Sequence, residues 1–123
     1  MDAMALAELR DATAVDEFLS RPSPVLLLIG SADPDEQPDA VLASLCALGP
    51  TGTVARAHPY GGAADRRVRR YLSHLPQTDR ACLVLMQGAV VLDVLRSTDV
   101  EAHGERWASA HFAERFLTPL ADR

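Results

Sequence analysis

The chain has 123 residues, of which 48% are hydrophobic and 24% are charged, a balance typical of one folded domain with a single core. Its longest apolar run, residues 24–29, is too short to cross a bilayer, and the net charge of −5 disfavours general binding of nucleic acid. We therefore expect one domain over residues 1–123, without membrane insertion.

The first part of the chain predicts helix, strand and helix. Apolar residues at roughly helical spacing predict helical structure from Asp2 to Leu19, either continuous or split into two helices at residues 11–13. Two prolines end it, and Val25–Ile29 is then continuously apolar, as expected for a central strand covered on both faces. A loop over Gly30–Pro38 leads into a helix whose buried stripe runs from Ala40 to Leu48.

The middle of the chain predicts a second strand and a third helix. Thr53–Ala57 alternates between apolar and polar residues, which indicates a strand. After a pair of glycines, Ala63–Leu75 carries apolar residues at helical spacing, so that Val68 and Leu72 face inward and the arginines face outward.

The last third predicts a hairpin and a closing helix. The strands are expected over Ala81–Met86 and Ala89–Leu95, joined by a turn at Gln87-Gly88 and paired antiparallel. Thr98 with a glutamate three residues later has capping-box spacing and predicts the start of a helix over Val100–Leu117. The element order is therefore α-β-α-β-α-β-β-α, an α/β fold with a central mixed four-stranded sheet flanked by helices.

The charges are distributed unevenly along the chain. Residues 1–50 carry nine acids against two arginines (−7), residues 51–80 carry six arginines against two acids (+4), and residues 81–123 have a net charge of −2. The acidic part includes a candidate docking surface for a basic partner, since exposed carboxylates steer cationic ligands. Its residues are Asp33, Asp35, Glu36 and Asp39. The alternative is ordinary capping and solvation, because acids are favoured near helix N-termini.

Four arginines concentrate positive charge on the third predicted helix: Arg66, Arg67, Arg69 and Arg70. Positions 66 and 70 are four residues apart and positions 67 and 70 three apart, so their side chains lie on overlapping faces. One interpretation is a patch for an anionic partner, such as an acidic protein face or a phosphate. The other is a solvated helix that pairs with the acidic half of the same chain, where each surface pair contributes about 0–1 kcal/mol.

The remaining reactive residues follow no catalytic or metal-binding pattern. Cys46 lies on the apolar stripe of a predicted helix and Cys82 in a predicted buried strand, so we expect both in the core. A lone reactive thiol at either position is the alternative. The histidines at 58, 74, 103 and 111 are scattered, and neither a calcium-binding loop nor a glycine-rich phosphate loop is present. We expect no metal, no cofactor and no enzymatic activity.

The predicted element order, with a βαβ unit joined through a helix to a hairpin and a closing helix, is similar to the thioredoxin-like fold. The apolar strand Val25–Ile29 and the run Leu83–Gly88 resemble that family locally. When the chain is aligned with that family, the position of its two-cysteine redox motif is occupied by Ala32-Asp33-Pro34-Asp35. This segment lacks both cysteines and therefore cannot perform thiol–disulfide exchange. The cis-proline of the family would fall near Arg80, which is not a proline.

A second resemblance is to HyaE-type thioredoxin-like chaperones, which act in maturation of nickel-iron hydrogenases and also lack the two-cysteine motif. It is carried by Val15–Leu19, the strand Val25–Ile29 and the acidic Ala32-Asp33-Pro34 loop. The resemblance implies a non-catalytic binding or chaperone protein whose partner is a basic twin-arginine signal peptide. We expect a cytoplasmic location, because Met1-Asp2-Ala3-Met4 does not begin a basic segment followed by an apolar stretch, as a secretory signal would. The alternative is a structural or assembly subunit of a larger complex or of a homo-oligomer.

Overall fold

Five strands form one mixed sheet in the computed structural model, which describes residues 7–29, 40–50, 52–57, 61–74 and 81–121. The strands are β1 (Ala7–Leu9), β2 (Val25–Ile29), β3 (Val54–Ala57), β4 (Cys82–Gln87) and β5 (Val90–Arg96). Their order across the sheet is β1-β3-β2-β4-β5. The first three run parallel to one another, whereas β4 is antiparallel to both β2 and β5.

Helices cover both faces of the sheet. They are α1 (Ala12–Leu19), α2 (Ala40–Cys46), α3 (Ala63–Tyr71), α4 (Ser97–His103), α5 (Glu105–Phe112), a π-helical turn (Ala113–Leu117) and α6 (Thr118–Ala121). Strand β2 separates the two sides, because its alternate residues Leu26 and Leu27 belong to different apolar clusters. Buried residues of α1 and α3 pack on one face, and those of α2, α4, α5, the π-helical turn and α6 pack on the other. The continuous apolar pattern of β2 is thus explained by burial on both faces.

The N-terminal segment differs from the sequence prediction. Ala7–Leu9, predicted as helix, is instead an edge strand paired in parallel with β3, so the sheet has five strands rather than four. Glu8 forms ion pairs with Arg56 at 2.8 Å and with Arg10 at 2.6 Å. Asp11, whose side chain accepts a hydrogen bond from the Ala14 amide at 2.7 Å, then caps α1. Pairing with β3 therefore overrides the helical propensity of this segment.

The predicted hairpin is present, with its turn one residue later than expected. Gly88 and Ala89 are the central residues and have φ values of 57° and 67°. Positive φ at both central positions is the requirement of a two-residue type I′ turn, which matches the twist of paired strands. The register of β4 and β5 is irregular between Leu85 and Met86, where Leu92 has no opposite residue.

The closing helix is not continuous as the sequence predicted. It begins at Ser97, before the predicted Val100, and the carboxylate of Asp99 accepts a hydrogen bond from the Arg96 amide at 3.0 Å. The predicted cap at Thr98 is therefore wrong. Gly104, with φ of 93°, ends α4 and starts α5, because this backbone conformation is incompatible with a continuing helix. No helix within the described ranges is long and apolar enough to span a membrane.

Candidate functional site

The acidic surface predicted from the sequence cannot be placed in the fold. Asp33, Asp35, Glu36 and Asp39 all lie outside the described residues, as does the Ala32-Asp33-Pro34-Asp35 segment. Docking and helix capping both remain interpretations of this segment.

The four predicted arginines lie on α3 and divide into two pairs with different roles. Arg66 donates from its guanidinium to the Gly61 carbonyl at 2.7 Å, and Arg69 Nε donates to Asp65 Oδ2 at 3.0 Å. These contacts are local to the start of α3. Arg67 and Arg70 instead line a cleft between α3 and α1. The structure therefore brings together only half of the predicted patch.

Asp65 organises the start of α3. Its side chain is buried, with the residue only 5% exposed, and Oδ2 also accepts a hydrogen bond from the Gly61 amide at 3.0 Å. A carboxylate in the first turn is favoured by the unpaired amides of a helix N-terminus, and here the Arg69 guanidinium neutralises its charge. Sequence reasoning missed this pair, although its i,i+4 spacing is a recognisable signal for a helical ion pair.

The cleft lies where α1 meets α3. It has a volume of about 310 Å³ and is open to solvent, and its described lining residues are Asp16, Arg67, Arg70 and Tyr71. The Tyr71 hydroxyl donates a hydrogen bond to Asp16 Oδ1 at 2.8 Å, and Arg67 Nε lies 3.2 Å from the same oxygen. The Arg67 contact is an ion pair without hydrogen-bond alignment. Sequence reasoning missed Asp16 and Tyr71, which are 55 residues apart in the chain.

The hydrogen bond to Asp16 raises the pKa of the Tyr71 hydroxyl, and burial and the negative charge of Asp16 act in the same direction. The nearby Arg67 guanidinium opposes this shift. The phenol therefore stays protonated at neutral pH and acts as a donor that fixes one carboxylate oxygen of Asp16. Chemically, the cleft offers two guanidinium groups, one fixed carboxylate and one phenol.

The two cysteines are both buried, as the sequence predicted, and lie on opposite faces of the sheet. Cys82 belongs to the cluster under α1 and α3, and Cys46 to the cluster under α5. Burial raises the pKa of the Cys46 thiol to about 12 and that of the Cys82 thiol to about 11. Thiolate, the nucleophilic form, is therefore scarce at neutral pH at both positions.

Two of the histidines flank the single tryptophan of the chain. The ring of Trp107 lies 4.4 Å from that of His103 and 4.8 Å from that of His111, measured between centroids. The indole thus separates the two imidazoles. Within the described ranges, no three His, Cys, Asp or Glu side chains are grouped so that they could hold a metal ion.

No protein-family model matches this chain, and no curated protein matches it.

Proposed function

We propose that this chain is a non-catalytic binding or chaperone domain with a thioredoxin-like architecture. The element order supports the proposal: β2, α2 and β3 have the order of a βαβ unit, α3 follows it, and β4 and β5 make the hairpin before the closing helices. The parallel pairing of β2 with β3 and the antiparallel pairing of β4 with β5 are the directions that this architecture requires.

The proposal that the domain is non-catalytic is supported by the separation of its two thiols. Cys46 and Cys82 are the only cysteines of the chain, and the sheet lies between them. A disulfide requires Cβ atoms about 3.5–4.5 Å apart, so two thiols on opposite faces cannot form one without unfolding. Dithiol exchange within the chain is thereby disfavoured on geometry, in agreement with the cysteine-free Ala32-Asp33-Pro34-Asp35 segment.

The partner proposed from the resemblance to HyaE-type chaperones is a basic twin-arginine signal peptide of a nickel-iron hydrogenase. Its charge is complementary to residues 1–50, whose net charge is −7. Attraction between an acidic surface and a cationic peptide increases the association rate and weakens as salt screens it.

The test is a fluorescence-anisotropy titration of a labelled peptide with two adjacent arginines followed by an apolar segment. We expect binding that weakens at high salt, and that weakens about three- to tenfold when Asp33→Asn and Asp35→Asn are combined. The matched control combines Glu105→Gln and Glu114→Gln, which remove two exposed carboxylates from α5 and the π-helical turn. Absence of binding, or an equal loss in both double variants, would contradict the proposal.

A second candidate function, an assembly subunit or homo-oligomer, is favoured by the edge strand β5. Val90 and Leu92 expose 62% and 47% of their surface there, and an edge strand with apolar side chains is a template for pairing. Light scattering measures the molar mass in solution. A mass of two or more chains, which falls to that of one chain when Val90→Thr and Leu92→Thr are combined, would support this candidate. A monomer at high concentration would eliminate self-assembly.

A further inference from the structure

Strand β5 forms one edge of the sheet, and its pairing with β4 decides which of its backbone groups face outward. The Ser97 amide, directly after β5, donates to the Ala81 carbonyl at 3.0 Å. In an antiparallel pair, residues that bond to the neighbouring strand alternate with residues whose amide and carbonyl point away from it. Counted back from Ser97 in the register of β4 and β5, Val94 and Arg96 are residues of the second kind. Their backbone groups therefore point to the outer edge of the sheet.

Carboxylates occupy both of these outward amides. Asp93 Oδ1 accepts a hydrogen bond from the Val94 amide at 2.8 Å, and Asp99 Oδ2 accepts one from the Arg96 amide at 3.0 Å. A strand that adds to an edge needs such N–H groups as donors to its own carbonyls. Here it would have to displace both carboxylates and bring their negative charge next to carbonyl oxygens, which removes water from both groups. The donors that strand addition requires are therefore already used.

The half of β5 next to the hairpin turn is interrupted by a bulge. Leu85 is opposite Asp93 and Met86 is opposite Val91, so Leu92 is the extra residue. A bulge bends its strand and increases the local twist, and natural proteins use bulges at sheet edges to end pairing. The two carboxylates and the bulge therefore obstruct pairing along most of this seven-residue strand.

We infer that Asp93 and Asp99 keep the outer edge of β5 from pairing with β5 of a second copy of this chain. A second copy is the partner that the geometry identifies, because two antiparallel copies of one edge strand form a self-complementary, two-fold symmetric interface. The exposed side chains of Val90 and Leu92 would add apolar contact to such a pair once the amides are uncovered. Self-assembly of the wild type through β5 can therefore use these side chains, but it cannot extend the sheet across residues 93–96.

The test combines Asp93→Ala and Asp99→Ala, which uncovers both amides. At the same high concentration, the molar mass measured by light scattering should at least double relative to the wild type. Exchange of the Val94 and Arg96 amides with deuterium, followed by NMR, should become slower as the concentration of this variant rises, because these amides then bond to the second copy. In the wild type their exchange should not depend on concentration, whether or not the chain assembles through side chains.

Two control variants separate the covering of the amides from the loss of negative charge. Combining Asp93→Asn and Asp99→Asn keeps a side-chain oxygen that accepts from each amide, so the mass should stay that of the wild type. Combining Glu105→Ala and Glu114→Ala removes the same charge from exposed positions outside β5, and should also leave the mass unchanged. An asparagine variant that associates as strongly as the alanine variant would overturn the inference.

Amide exchange in β2, at the centre of the sheet, reports whether the alanine variant is folded. A folded alanine variant with the mass of the wild type would contradict the inference, as would concentration-dependent exchange of the Val94 amide in the wild type. If protection of β2 is lost, Asp93→Ala alone decides the test, because it leaves the bond from the Arg96 amide to Asp99 intact. Its Val94 amide should then exchange more slowly at high concentration, and unchanged exchange would refute the role of Asp93. None of these outcomes depends on the signal-peptide proposal.

Discussion

Ala89 has a backbone conformation that glycine adopts more readily. Its φ of 67° lies in the left-handed region, which costs an alanine about 1–2 kcal/mol because Cβ approaches the following carbonyl oxygen. The position follows Gly88 in the hairpin turn between β4 and β5, and the turn type requires this conformation. Pairing of the two strands therefore holds Ala89 in a conformation that it disfavours by itself.

We expect Ala89→Gly to stabilise the protein by about 0.5–1 kcal/mol. The substitution removes the left-handed cost, and the larger entropy of glycine in the unfolded chain offsets part of the gain. Urea denaturation measures the change in the free energy of unfolding. The control Ala110→Gly, at an exposed position of α5, should destabilise by about 1 kcal/mol. An Ala89→Gly variant no more stable than the wild type would show that the turn relaxes in solution.

At the scale of elements, Gly104 decides the shape of the C-terminal helices. It has φ of 93° and ψ of 165°, a combination that is essentially restricted to glycine. Its amide donates to the Val100 carbonyl at 2.7 Å and its carbonyl accepts from the Ala108 amide at 3.1 Å. The glycine therefore completes the hydrogen bonding of both helices while the chain changes direction between them. The rings of His103 and Trp107, tilted by 36° to each other, are in contact across this break.

Substitution Gly104→Ala should cost about 1–3 kcal/mol, because an alanine at this φ and ψ is strained. It should also change the fluorescence of Trp107, since relief of the strain moves α4 relative to α5 and alters the contact with His103. Thermal unfolding and emission spectra measure the two effects. Ser109→Ala, at an exposed position of α5, is the control and should leave both nearly unchanged. A spectrum unaltered by Gly104→Ala would argue against this movement.

At the scale of the whole molecule, the sheet divides the interior into two cores, each with one cysteine. The folded state keeps the Cys46 and Cys82 thiols protonated to about pH 12 and 11, whereas thiols in an unfolded chain ionise near pH 8.5. Both folded pKa values are raised, so this contribution to stability is complete below about pH 8.5 and is lost as the pH rises toward 11–12.

The free energy of unfolding should therefore fall above pH 8.5 by up to about 1.4 kcal/mol per pH unit for each thiol. Combining Cys46→Ala and Cys82→Ala should make this decline shallower, although the cavities lower stability at every pH. The control is Ser44→Ala, at an exposed position of α2, which should leave the slope unchanged. Urea denaturation under reducing conditions at several alkaline pH values measures the slope. Equal slopes in wild type and double variant would mean that the thiols ionise without unfolding.

Local patterns in the sequence were sufficient for most elements near the centre of the sheet. The predicted bounds of β2 are confirmed, and β3, β4, β5 and α3 lie within one to four residues of their predictions. The predictions for these segments agree with the structure because burial on one or both faces imposes a periodicity of apolar residues, which is visible in the sequence. Burial of the two cysteines followed from the same patterns.

Long-range contacts decided what those patterns could not. Ala7–Leu9 is a strand only because β3 offers it a free edge, and Asp16 meets Tyr71 only because α1 packs against α3. The sequence by itself determined an α/β fold, two buried thiols and a helix rich in arginine. Only the tertiary structure decided which arginines pair locally and which two line a cleft, since the partners of a charge depend on the packing of distant segments.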